Sequence, residues 1–125
     1  MFKQRVFVAV AATLTAIALV APVGAYQNRP LQALAHNYGV TIFWEATHCS
    51  LISPGALACF LPATPNTIFV NPKLKEWEMH YAVLHELGHV LQHRAGQPLD
   101  ECAADVYAHE HGAIAWSYCD AGAIG

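Results

Sequence analysis

The chain has 125 residues, nine acidic against six basic side chains, and a net charge of −3 with its eight histidines neutral. That length suits one small domain. The acidic balance argues against nucleic acid or an anionic membrane surface as a partner.

The N-terminus reads as a secretory signal peptide. MFKQR carries Lys3 and Arg5, VFVAVAATLTAIALVAPVGA is almost wholly apolar, and Val23-Gly24-Ala25 ends it in small residues. The apolar stretch Val6–Val20 spans 15 residues, short for a membrane crossing. Expected organisation is therefore a signal peptide over 1–25 and one domain over 26–125, exported, without stable membrane insertion, and monomeric. Removing residues 1–25 takes away two basic residues and no acidic one, so the net charge moves from −3 to −5.

Residues 30–38, PLQALAHNY, suit a short helix with Pro30 in its first turn and Gly39 as a stop. VTIFW over 40–44 is β-branched and aromatic and reads as a strand. SLISPGALA, between Cys49 and Cys59, reads as a loop with a Pro-Gly turn. TIFV over 67–70 reads as a second strand. Pro62, Pro65 and Pro72 isolate it, which suits an edge position.

Asn71-Pro72 then opens a helix that runs to about His93. On its wheel Trp77, Tyr81, Leu84, Gly88 and Leu91 share one face, and Met79, Val83, Leu87 and Val90 widen the apolar surface. Glu78, His85, Glu86, His89 and His93 form the remaining polar stripe. Buried polar groups need partners, and a metal ion is one. After a bend at Ala95-Gly96-Gln97-Pro98, a second helix covers roughly 99–111. Glu101, Ala104, Asp105 and Ala108 lie on one side of it, and the alanines permit close helix contact. The tail carries a possible strand around Ile114–Tyr118.

Four cysteines in an exported chain read as two disulfides. Three pairings are possible. Short local loops favour Cys49–Cys59 with Cys102–Cys119.

The centre of the chain is His85-Glu86-Leu87-Gly88-His89. Two imidazoles one helical turn apart point the same way, as two ligands of one tetrahedral zinc ion do. Glu86 sits at the rim of that stripe, placed as a general base. Glu101 is the expected third ligand, and Asp105, one turn on, is placed to accept the other N–H of His85. His36, His48 and His80 read as ordinary histidines. His93 extends the stripe at its far end, and Tyr107, His109 and His111 follow the second helix without a firm role.

HELGH followed by Glu101-Cys-Ala-Ala-Asp105-Val-Tyr-Ala108 resembles the gluzincin metallopeptidases, most closely the small ImmA/IrrE-type domains, over roughly residues 67–111. The resemblance implies an α+β, zincin-like domain with an active-site helix, a second ligand-bearing helix and a few short strands. It implies one zinc ion on His85, His89 and Glu101, with Asp105 orienting the first histidine. It also implies hydrolysis of a peptide or protein substrate by Glu86-assisted attack of zinc-bound water, beside a strand TIFV that can pair with extended substrate. Two departures stand out. Such domains are usually intracellular and lack disulfides, and the gap between the two motifs here is short. The alternatives are a secreted, non-enzymatic protein with a structural zinc closed by a fourth ligand such as His93, or a peptidoglycan amide hydrolase.

Overall fold

The computed structural model describes residues 29–114 and Cys119. The expected signal peptide and all but the first residue of the suggested strand over 114–118 lie outside these residues. Among the described residues, seven elements follow in order: α1 (Arg29–Asn37), β1 (Thr41–Trp44), α2 (Thr47–Ile52), β2 (Ala58–Phe60), β3 (Thr67–Val70), α3 (Glu76–Arg94) and α4 (Glu101–Glu110). The domain is α+β, as expected.

The three strands form a mixed sheet in the order β1-β3-β2. β1 runs parallel to β3 with Ile42 beside Ile68, and β2 runs antiparallel with Phe60 beside Ile68. Alternation along the strands turns Ile42, Trp44, Phe60, Ile68 and Val70 toward one face, all buried. α3 covers that face with Met79, Val83, Leu84, Leu87 and Val90, and α1 adds Leu31 and Ala35. Each large aliphatic side chain fully buried there contributes roughly 1.5–3 kcal/mol. The opposite face carries Phe69, against which Phe43 and His48 stack with ring centroids at 5.8 and 4.5 Å. α2 lies over that face.

Three expectations need correction. TIFV is the central strand, not an edge. Its flanking prolines stand outside Thr67–Val70, so they remove no donor from its ladders, and both sides are paired. The segment between Cys49 and Cys59 is more than a loop. It holds the second half of α2 and the start of β2, and β2 is the edge strand nearest the polar stripe. Finally, α3 begins at Glu76 rather than at Pro72. Asn71 folds back on its own turn instead, its Oδ1 accepting from the Lys73 N–H at 2.9 Å. The helix entry is fixed by Glu78, whose Oε1 accepts from the Lys75 N–H at 3.0 Å.

α3 ends where Gly96 takes a φ of 69°, a conformation that favours glycine. The Gly96 and Gln97 N–H groups close the helix on the carbonyls of His93 and Gln92 at 3.0 and 2.9 Å. The chain then reverses and α4 returns along α3. Asp100 caps α4, its Oδ1 accepting from the Ala103 N–H at 2.7 Å. Both disulfides are formed, Cys49–Cys59 tying α2 to β2 and Cys102–Cys119 tying α4 to the tail.

Candidate metal centre

The middle of the polar stripe on α3 is sealed rather than solvated. His85, Glu86 and His89 are all buried, although each is polar. Burial of such groups without partners costs several kcal/mol, and each has one here. Among the described residues, no buried side-chain nitrogen or oxygen is left without a hydrogen bond.

Both histidines take partners from α4, which crosses α3 at its one glycine. A Cβ on Gly88 would sit 3.0 Å from the Ala104 Cα and 3.3 Å from its Cβ. The helices thus meet nearly backbone to backbone, and residues flanking the contact reach across it. Asp105, fully buried, places Oδ1 2.6 Å from His85 Nδ1 and also accepts from the Tyr81 hydroxyl at 2.7 Å. Glu101 lies over both rings, with Oε2 2.9 Å from His85 Nε2 and Oε1 3.2 Å from His89 Nε2.

The protonation pattern follows from these partners. A carboxylate holding the Tyr81 O–H can only accept, so His85 Nδ1 carries a proton and Nε2 is the nitrogen that faces Glu101. The His89 Nδ1 lies 2.9 Å from Gln92 Oε1, which also accepts from the Asp100 N–H at 3.0 Å. His89 therefore donates through Nδ1, and its Nε2 also faces Glu101. Two ring nitrogens and a carboxylate converge at hydrogen-bond distance, a set that a proton or a metal ion can bridge. His85, His89 and Glu101 each offer one ligand atom within 4.8 Å of the others, and together they could hold a metal ion. Glu101 remains 56% exposed at its side chain, so the centre opens to solvent on that side.

Glu86 stands beside the cluster. Burial, reinforced by the nearby Glu101 charge, pushes its carboxyl up to about 8, and the Phe60 backbone N–H opposes the shift by donating to it. The residue adjoins a groove of about 470 Å³ whose lining includes His85, Glu86, His89, Glu101, Tyr81 and β2.

The structure brings together four of the residues singled out in the sequence as site members, His85, Glu86, His89 and Glu101, with Asp105 directly behind His85. Other histidines stay apart. His93 packs against Phe60 with ring centroids at 5.6 Å and does not join the ligand group. His48 stacks on Phe69, across the sheet. Tyr107 donates to the Tyr38 hydroxyl at 3.0 Å and stacks on His111, at the other end of α4. Gln92 and Tyr81 are the members that the sequence pattern missed as such. Their spacing from His89 and His85, three and four residues on the same helix, was the available signal.

Comparison of the chain with protein-family models, with curated proteins and with solved structures gave no match.

Proposed function

We propose that the protein is an exported zinc-dependent peptidase of zincin-like design. The observation that carries this reading is the convergence of the His85 and His89 Nε2 atoms on Glu101, with a buried Glu86 carboxyl next to them in an open groove. Two imidazoles and one carboxylate are a common zinc ligand set for hydrolysis. Two disulfides fit an oxidising compartment, and among the described residues no helix is long and apolar enough to cross a membrane.

The chain's own groups supply the rest of a hydrolytic site. His85, His89 and Glu101 would hold the ion, which when bound acidifies water and polarises a carbonyl. Asp105 and Gln92 keep both rings in the tautomer that presents Nε2. Glu86 has a proton affinity near neutrality, suited to taking a proton from attacking water and passing it to the leaving amine. The Phe60 N–H fixes the orientation of that carboxyl.

The groove also suits an extended chain. Leu57 uses its carbonyl toward β3, accepting from the Asn71 N–H at 2.9 Å, while Phe60 turns its N–H to Glu86. By strand alternation, Ala58 turns its N–H and C=O outward, as Phe60 does. A peptide laid along β2 would find backbone partners there. This role falls to β2 rather than to TIFV, whose two sides are already paired.

Incubating zinc-loaded protein with a library of quenched peptides tests the reading. Cleavage by wild type, lost in Glu86→Gln with zinc retained, is the expected result. Retained zinc without cleavage in both proteins would favour a structural ion, and cleavage confined to peptidoglycan amides would move the substrate to the cell wall.

A further inference from the structure

We propose that Gln92 is a positioning residue that sets His89 and the start of α4 with one amide, an inference that rests on the metal-centre reading above. Gln92 makes three side-chain hydrogen bonds. Its Nε2 donates to the Asp100 carbonyl at 3.0 Å, and its Oε1 accepts from the Asp100 N–H at 3.0 Å. The same Oε1 accepts from His89 Nδ1 at 2.9 Å.

These bonds leave the amide no choice of orientation. A backbone N–H can only donate and a backbone carbonyl can only accept. Asp100 therefore fixes which end of the amide is oxygen and which is nitrogen. A flipped amide would break both bonds and place an NH₂ against His89 Nδ1. With the oxygen held in place, His89 must donate from Nδ1 and present Nε2 toward Glu101.

The clasp acts at its other end too. Asp100 is the cap of α4, its side chain holding the Ala103 N–H at 2.7 Å and its carbonyl the Ala104 N–H at 3.0 Å. Glu101 is the next residue. One buried amide thus joins the orientation of a ligand on α3 to the placement of a ligand on α4. The helix reversal makes this possible, since the left-handed turn at Gly96 brings residue 100 back beside residue 92. Asp105 does the equivalent for His85 with a charged group.

Gln92→Met and Gln92→Glu separate this role from plain packing. Methionine keeps the length and loses every hydrogen bond. Glutamate keeps the acceptor for His89 and for the Asp100 N–H, but replaces the donor to the Asp100 carbonyl with a second, charged oxygen. Zinc affinity measured by chelator competition should fall roughly 10- to 100-fold in Gln92→Met, the range typical of lost partners behind metal ligands. Gln92→Glu, which keeps the acceptor for His89, should lose clearly less. The visible spectrum of the cobalt-loaded protein should change in Gln92→Met and persist in Gln92→Glu, because the His89 ring is released only in the first. Melting of the chelator-treated proteins reports the fold by itself. Unchanged zinc affinity in Gln92→Met would overturn the inference, and so would an equal loss in both variants. Failure of wild type itself to take up zinc would remove the metal centre and the inference with it, an outcome the wild-type titration reports separately.

Discussion

Gly88 lies against Ala104 so closely that a single added carbon would fall 3.0 Å from the Ala104 Cα. This contact sets the distance between α3 and α4, and with it the reach of Glu101 and Asp105 to the two imidazoles. Gly88→Ala gains up to about 1 kcal/mol of helix propensity. It should still destabilise the fold by roughly 1–3 kcal/mol through overpacking, since the atoms it meets are mostly backbone. Zinc affinity should fall in parallel, because α4 moves away as a unit. Thermal melting and zinc titration of the variant check both effects.

A second prediction concerns the bond between Cys102 and Cys119. Cys102 is next to Glu101 on α4, and its disulfide ties that helix to the tail. Replacing both cysteines by serine should cost about 2–4 kcal/mol of stability, as for typical native disulfides. Zinc should be held more weakly, and the preference among cleaved peptides should not change. Equal zinc retention in wild type and the double variant would separate the disulfide from the site.

Glu86 makes the metal-free protein sensitive to pH. An unfolded glutamate ionises near 4.5, whereas burial pushes the folded carboxyl up to about 8. Between those values the folded state binds the extra proton, so stability falls as pH rises. The contribution is fully present below about 4.5 and lost as pH passes the folded value of about 8. Its size is on the order of a few kcal/mol. In chelator-treated protein, denaturant unfolding from acid to mildly alkaline pH should show this decline. Glu86→Gln, neutral throughout, should flatten it.

Much of the candidate centre was legible because its signal is local. HELGH on a helix puts His85 and His89 on one side by helical geometry alone, and Glu101 and Asp105 share a face for the same reason. The alanines at 104 and 108 announced a close helix contact, and short loops favoured the disulfide pairing now seen. What escaped depends on contacts between distant residues or on backbone choices. Gln92 looks like any polar residue near a helix end until Asp100 returns beside it. β2 is three residues long and takes its identity from pairing with β3. The prolines around TIFV have the chemistry of an edge strand, yet they stand outside the paired residues. Asn71-Pro72 has the chemistry of a helix start, but Asn71 spends its side chain on its own turn.

The edge of β2 yields a fourth prediction. Ala58→Pro removes an outward N–H while leaving β3 its inward partners, a change tolerated on an edge strand. The variant should retain zinc and melt close to wild type. Cleavage of extended peptides should weaken mainly through KM, since main-chain pairing contributes to binding the substrate. A loss confined to kcat would argue against pairing of the peptide with β2.

The most direct measurement is the zinc content of purified protein after mild reloading, in wild type, His85→Ala and Glu86→Gln, with peptide cleavage assayed on the same samples. About one equivalent of zinc is expected in wild type and in Glu86→Gln, as a single ligand set of two histidines and a carboxylate would bind. Little zinc is expected in His85→Ala, and cleavage by wild type alone. Wild type without zinc, or Glu86→Gln cleaving as well as wild type, would contradict the proposed function.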